Sequence, residues 1–502
     1  MSRDATRKYV WPALCLLAAG GLWSLAGGRY VVAAAAWLAP VFMLRWLRGR
    51  RVIVGFPLAV LAAGVATFFA WRGIADAIMS FAAYAAFSLG IAAVFLIPYF
   101  VDRALATRRR DFLGTLFFPG AVVTMEYVFS LVSPLGTWNA VAYTQVHNLP
   151  LIQIASLTGL YGVSFLVAWF AAVVNWAWEN RESGPGVRRG IIVYGTVLAA
   201  VLLFGGIRLA ADRPGETVRV AGVISKTFFL SEHPELLPPL THGEPLDEAE
   251  TAALHEETAA INDDLLARSR REARAGARVV VWGECSAQLP VEDEPALIRR
   301  GRDLAREEGI YLGMGLATLE PGTDKPVTNK LVLVDPDGEV VWDYVKSIPV
   351  PGPEATISRR GDCRLPTLDT EYGRLAGAIC YDMDFPATVR QAGRAGADIM
   401  IVPSHDWYEL MDLHAELATF RAVENGFSLL RPDNEAVSVA VDYLGRPIAA
   451  MDYFAAADPV IVADVPTRGV RTVYAAVGDI FAWFVIAAFV CISGITLFRM
   501  RK

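Results

Sequence analysis

Charge is what this 502-residue chain has least of: Asp, Glu, Lys and Arg together make up 20% of it, against 54% hydrophobic residues. That balance excludes an ordinary soluble globule and makes a membrane protein the first inference. The formal net charge is -6 and no long basic run occurs, so nucleic acid is not an expected partner. The five cysteines, Cys15, Cys285, Cys363, Cys380 and Cys491, form no CxxC pair and no zinc spacing, and a disulfide framework is not expected. Histidine is scarce; His405, Asp406, Asp412 and His414 are close in sequence but match no metal-binding helix motif. No GxGxxG or Walker-type loop stands in a suitable place, so neither a metal nor a cofactor is expected.

What is present is a succession of apolar segments of bilayer-spanning length, about 17 to 25 residues each. They fall near 9–27, 30–46, 52–71, 76–101, 112–132, 160–178 and 190–210, with an eighth near 476–498. Others follow the first directly, so it is not read as a cleaved signal. Arg3, Arg7 and Lys8, then Arg45, Arg48, Arg50 and Arg51, then Arg103, Arg108, Arg109 and Arg110, then Arg181, Arg188 and Arg189 fall on alternate sides of successive spans. Arg499, Arg501 and Lys502 follow the last one. An excess of Lys and Arg marks cytoplasmic loops, which places residues 211–475 outside. The expected organisation is a seven-helix membrane domain (1–210), an extracytoplasmic domain (211–475) and a C-terminal transmembrane helix with a cytoplasmic tail (476–502). Glu126 is costly within its apolar span, and is read either as functional or as pairing for assembly. The loop at 133–160, with Trp138 and Tyr143, has residues suited to the membrane interface and is expected beneath the outer domain.

Residues 211–475 read as a layered α/β domain. Strand-like runs occur at 218–224, 278–283, 310–316, 331–334, 339–345, 375–380, 398–403, 437–441 and 459–464, with helical spacing of Leu254, Ile261 and Leu265 within 246–275 and of Leu297 and Leu304 within 294–308. Asp335, Pro336, Asp337 and Gly338 form a hairpin turn, since proline presets one turn dihedral and glycine tolerates another.

One stretch organises this domain. In residues 371–386, EYGRLAGAICYDMDFP, the apolar run from Leu375 to Ile379 leads to Cys380, a polar corner follows, and Pro386 opens a periodic segment. The pattern predicts strand, sharp turn and helix, with the thiol at a strand tip, where a helix N-terminus can lower its pKa. Taken alone it fits equally a core cysteine packed behind a strand. Glu284 ends the run VVVW at 279–282 and Lys346 ends EVVWDYV. Each alone is an ordinary solvated strand end. Together the three supply a base, a nucleophile and a cation for an oxyanion, the parts acyl transfer needs.

Glu284, Lys346 and Cys380, in that order at strand ends, resemble the Glu-Lys-Cys triad of the nitrilase, or carbon–nitrogen hydrolase, superfamily. Eight spans with this domain before the last one are similar to the apolipoprotein N-acyltransferase family. The segment around Glu126, the loop at 137–166, the DPDGEV hairpin and the PSHDWY stretch at 403–408 carry the likeness further, and Arg421 and Glu424 match the family's post-catalytic helix. The resemblance implies an α-β-β-α sandwich for the outer domain of a multi-pass inner-membrane enzyme. It implies a ping-pong transfer in which Cys380 takes an acyl chain from a membrane phospholipid and passes it to the amine of a diacylglyceryl lipoprotein, the enzyme acting as a monomer. Glu354 would match a second essential glutamate, and Tyr381, Asp382 and Trp407 would join it in substrate binding. The chain departs from the family pattern at Gly283, Cys285, Asp382, His405 and Pro432 to Glu435. Two alternatives stand beside this reading: a membrane-tethered amidase in which water resolves the intermediate, and a transporter or lipid receptor with a degenerate hydrolase domain.

Overall fold

A computed structural model describes residues 10–75, 79–109, 111–213, 215–228, 232–236, 244 and 246–500. Arg3, Arg7, Lys8, Arg110, Arg501, Lys502 and the first three residues of the 76–101 span lie outside them. The chain divides into two compact units, Met1–Asp212 with Val477–Lys502, and Arg213–Ala476.

In the first unit each expected span coincides with a helix, but only six of those described are long and apolar enough to cross a membrane by length and composition. Trp11–Trp23 and Ala33–Arg48 have 13 and 16 residues, about 20 and 24 Å at 1.5 Å per residue, short of a hydrocarbon core about 30 Å thick. The span from Phe81 onward breaks after Phe95 and restarts at Ile97, because Pro98 cannot donate a hydrogen bond inside a helix but suits a first turn. Leu160–Glu179 is the central helix, with 78% of its apolar window buried. An enclosed ion pair lies inside this unit: Arg48 makes two 2.8 Å bonds to buried Asp102, the bidentate geometry that favours arginine. Glu126 is buried and accepts the Val141 N–H at 2.8 Å, which fixes the turn Val141–Gln145. Tyr143 is buried within the protein and shares a 2.6 Å hydrogen bond with Thr137.

The second unit contains two sheets. In one, the strands run in the order Val460–Pro466, Thr217–Val223, Val279–Trp282, Tyr311–Leu319, Val327–Val334, Val340–Val345, with Ala287–Pro290 also paired to Tyr311–Leu319. The other runs Pro447–Asp452, Val437–Val441, Ser428–Arg431, Ile399–Ile401, Gly373–Gly377, Thr367–Thr370. Each has three parallel strands at its centre: Thr217–Val223, Val279–Trp282 and Tyr311–Leu319 in one, Gly373–Gly377, Ile399–Ile401 and Ser428–Arg431 in the other. These strands are buried on both faces, hence the continuous apolar runs in place of alternation. The helices Glu248–Arg274 and Glu294–Glu308 send Leu265, Leu266, Leu297 and Leu304 onto the first sheet. Pro386–Ala395 and Met411–Asn425 send Val389, Ala392, Ala418 and Ala422 onto the second. Gly313 of the first sheet lies against Ile401 of the second, and Gly377 against Trp342 and Leu331, so the layers stack α-β-β-α.

Local chemistry sets the element ends. Asp247 and Glu250 close a reciprocal capping box at the start of Glu248–Arg274, satisfying two otherwise orphaned N–H groups. In the hairpin turn the Asp335 carboxylate accepts from the N–H of Asp337 and of Glu339, and Gly338 takes φ +76, a conformation that costs glycine little.

Candidate active site

The site is built where parallel strands end. Glu284 follows Val279–Trp282, Cys380 follows Gly373–Gly377, and Asp406 lies beyond Ile399–Ile401. Lys346 follows the antiparallel strand Val340–Val345. The strand read as running into Cys380 stops at Gly377, and Cys380 opens a single 3₁₀ turn, Cys380–Asp384, with φ +43. Its N–H is held by the carbonyl of Pro403 at 2.9 Å. A left-handed conformation in a residue other than glycine is strained, and it persists only where the surroundings fix it.

Lys346 lies between two carboxylates. Its Nζ is 2.7 Å from Glu284 Oε1 and 2.9 Å from Glu354 Oε1. Burial pulls the ammonium pKa down, but Glu284 and Glu354 outweigh it and hold the group well above its ordinary value. Glu354 also accepts the Val350 N–H at 2.7 Å. Asn329, which the sequence did not single out, donates 2.6 Å to Glu284 Oε1. Both known partners of Glu284 therefore use Oε1, and the buried Oε2 has no hydrogen-bond partner among the described residues. A buried acceptor in that state is costly unless something else uses it. Gly283 leaves room for Asn434 to reach the Glu284 carbonyl, a space a Cβ would fill.

The Cys380 thiol is 1% exposed. Burial raises its pKa, Glu284 raises it further, Lys346 opposes both, and the net effect pushes it up to about 12. The lowering expected from a helix N-terminus is overturned: Pro386–Ala395 begins six residues later, and desolvation dominates. The resting group is a thiol, so attack requires a base. Cys285, beside Glu284, is pushed well above its usual value by burial and by that carboxylate.

Of the remaining expected residues, Trp407 is half-buried just after Asp406. Tyr381 and Asp382, assigned to substrate binding, are interior. The Asp382 carboxylate accepts the Tyr344 hydroxyl at 2.7 Å, the Ile348 N–H at 2.9 Å and the Ile379 N–H at 3.1 Å. It ties the segment after Lys346 to the cysteine turn, and all three donors lie inside the protein. Burial still pushes it up to about 6.

Among the described residues, one group of side chains could ligate a metal: Cys380, Asp406 and His414, whose atoms lie within 4.8 Å of one another. The donor set does not fit a dication. His414 Nδ1 is 2.6 Å from Asp406 Oδ1 and Nε2 is 2.8 Å from Asp384 Oδ2, so each nitrogen already faces a carboxylate, and the two carboxylates hold the imidazole pKa well above its ordinary value. Arg431 Nη2 lies a further 3.2 Å from Nδ1. A metal ion would meet two cations.

A Glu, Lys and Cys set at the strand ends of an α-β-β-α sandwich, in a chain that also carries membrane-length helices, defines a membrane-attached enzyme of the carbon–nitrogen hydrolase class. The family model described as carbon-nitrogen hydrolase matches residues 241–475, and the one described as apolipoprotein N-acyltransferase N-terminal domain matches 19–173. The chain belongs to the apolipoprotein N-acyltransferase family. It is 26% identical over 430 residues to apolipoprotein N-acyltransferase of Geobacter metallireducens, covering 80% of this chain and 78% of the relative. It is 25% identical to that of Bradyrhizobium diazoefficiens, covering 71% and 68%, and 26% identical to apolipoprotein N-acyltransferase 2 of Treponema pallidum, covering 80% and 79%. A solved amidase from Nesterenkonia sp. superposes with TM-score 0.41 and 23% identity over 51% of this chain and 93% of that one.

Proposed function

We propose that this protein moves a fatty acyl chain from a membrane phospholipid to the N-terminal amine of a diacylglyceryl-cysteine lipoprotein through a thioester on Cys380. The observation that carries the reading is the unpartnered Glu284 Oε2, next to a lysine whose charge acts on the Cys380 thiol, in a chain of this family. Glu284 takes the thiol proton on Oε2 as sulfur attacks the ester carbonyl carbon. Lys346, together with the backbone N–H of Tyr381, stabilises the tetrahedral oxyanion. Collapse breaks the ester C–O bond, Glu284 returns the proton to the leaving oxygen, and lysophospholipid departs. The acceptor amine then attacks the thioester and gives a proton to Glu284. The C–N bond forms, the C–S bond breaks, and the thiol is restored by that proton. Glu354 positions Lys346 throughout, and Asp382 holds the cysteine turn.

Both substrates are lipids, which is consistent with a bundle of apolar helices in the same chain. The basic residues between spans, among them Arg45, Arg48, Arg50, Arg51, Arg103, Arg181, Arg188 and Arg189, support an inner-membrane location with the catalytic unit on the extracytoplasmic side. The enzyme acts as a monomer. The test is the intact mass of the full chain after incubation with phospholipid in detergent: one acyl adduct, mapped to the Cys380 peptide and discharged by a lipopeptide with a free amine. An adduct that forms equally in Cys380→Ala, or discharge by water without acceptor, overturns the reading.

A further inference from the structure

Outside the triad, the densest set of buried charges lies against the same sulfur. His414 stands on the helix Met411–Asn425 and is 2% exposed. Its ring bridges two segments that flank the nucleophile. Nε2 meets Asp384, the last residue of the 3₁₀ turn that begins at Cys380, and Nδ1 meets Asp406. Asp406 is in turn held by Arg431 Nη2 at 2.8 Å, and Arg431 is paired with Asp433. The Tyr381 ring lies 6.4 Å from the imidazole. Cys380 Sγ is 3.9 Å from Asp406 Oδ1 and 3.9 Å from the His405 carbonyl, and it lies within 4.8 Å of a His414 ring nitrogen.

We propose that His414 is a positioning residue for the acyl-transfer reaction: its imidazolium, fixed between Asp384 and Asp406, is a second cation beside the Cys380 sulfur and clamps the strained turn that presents it. The inference rests on the reading of Cys380 as the nucleophile. The geometry argues it in two ways. An imidazole with a carboxylate at each nitrogen donates from both and is therefore charged; burial alone would lower its pKa, but Asp384 and Asp406 outweigh burial and hold it well above the ordinary value. The carboxylates of Asp406 and Glu284 each disfavour a thiolate at Cys380. Asp406 is neutralised by His414 and Arg431, as Glu284 is by Lys346. These cations are shared, Lys346 with Glu354, His414 with Asp384 and Arg431 with Asp433, so the thiolate is disfavoured even in the intact site, and loss of the His414 charge would leave Asp406 less screened and disfavour it further. The bridge also joins Asp384 to Asp406, so the turn carrying φ +43 is held at its far end as well as at the Cys380 N–H.

The test follows alkylation of Cys380 by iodoacetamide in the full-length protein in detergent, quantified on the Cys380 peptide from pH 6 to pH 10. In His414→Gln the whole profile should move upward by at least one pH unit, a tenfold loss of rate at any given pH, which is the smallest shift a charge this close imposes. Thioester formation from phospholipid should fall at least tenfold in kcat, with KM for phospholipid unchanged. A purely structural histidine would leave the alkylation profile in place, and superimposed profiles in a variant that retains its thermal transition overturn the proposal. Should His414→Gln not fold, protein labelled with ¹⁵N at histidine decides. One imidazole protonated at both nitrogens at pH 8.5 is expected, and six neutral imidazoles at that pH overturn the proposal. Loss of the Cys380 acyl adduct bears on the function itself, whereas an unmoved profile with the adduct intact bears on His414 alone.

Discussion

The Nζ of Lys346 and Oε1 of Glu284 are 2.7 Å apart, with the two side chains 2% and 4% exposed. An ion pair so enclosed contributes little over a well-packed apolar pair, but removing one partner leaves a bare buried charge. Lys346→Met is therefore expected to abolish thioester formation and also to lower the thermal transition of the catalytic unit, by an amount on the order of 3–5 kcal/mol. Adding Glu284→Gln should recover much of that stability and none of the activity. A double-mutant cycle on melting and acyl-adduct yield checks both; a single variant with wild-type stability would show that Lys346 is not what balances Glu284.

Asn329 gives Glu284 its second hydrogen bond, and that bond leaves Oε2 as the oxygen free to take a proton. Asn329→Ala removes a donor to a buried carboxylate, an interaction worth about 1.5–3 kcal/mol. Acylation should slow on the order of tenfold to a hundredfold. Asn329→Asp should be worse, since a third carboxylate would face Lys346 alongside Glu284 and Glu354. Single-turnover acylation by phospholipid checks the order, and an Asp variant faster than the Ala variant would overturn it.

Glu284, Lys346 and Cys380 were legible because each ends an apolar run, and an apolar run followed by one reactive polar residue is a pattern within a few positions of sequence. Asn329, Asp384 and Arg431 had no such signal. Asn329 lies inside the strand Val327–Val334, and Arg431 ends the four-residue strand Ser428–Arg431 directly after a helix, too short to show a period. His414 was visible, but only as part of a possible metal spacing, because its partners Asp384 and Asp406 come from different strand–helix connections. The layering of the fold was legible in its buried parallel strands. The edge strands Thr367–Thr370 and Pro447–Asp452 were not, since half-exposed edges lack the unbroken apolar run that marks the centre of each sheet. Asp382 was legible as a departure from the family pattern but not as a structural group, because its Tyr344 partner is 38 residues away.

That partner gives a further prediction. Tyr344→Phe deprives the buried Asp382 carboxylate of one of its three donors and should destabilise the catalytic unit by about 1–3 kcal/mol, with KM for phospholipid unchanged. The pH dependence has a definite sign. Asp382 has its pKa raised on folding, to about 6, so its folded form binds the extra proton, and stability from this group is present below about pH 4 and lost as pH rises through 6. Losing the Tyr344 donor raises that pKa further. The gap in melting temperature between variant and wild type should therefore be small at pH 5 and widen above pH 6. A gap independent of pH, or a raised KM with normal stability, would place the Asp382 carboxylate against substrate instead.

The Cys380 thiol, pushed up to about 12, separates intrinsic reactivity from catalysis. Below its pKa the thiolate fraction rises tenfold per pH unit, so alkylation of Cys380 should climb without a plateau through pH 10, where an ordinary cysteine, with pKa near 8.5, would already have levelled off. Acylation by phospholipid should nevertheless proceed at neutral pH, because Glu284 removes the proton during attack. Glu284→Gln should cut acylation by about 10²–10⁴ while Cys380 still alkylates as pH rises, with its profile moved down because the Glu284 carboxylate no longer opposes the thiolate. The combination is diagnostic. A pre-formed thiolate would show an alkylation plateau below pH 8 and an acylation rate indifferent to Glu284, and either result would remove the general base from the mechanism.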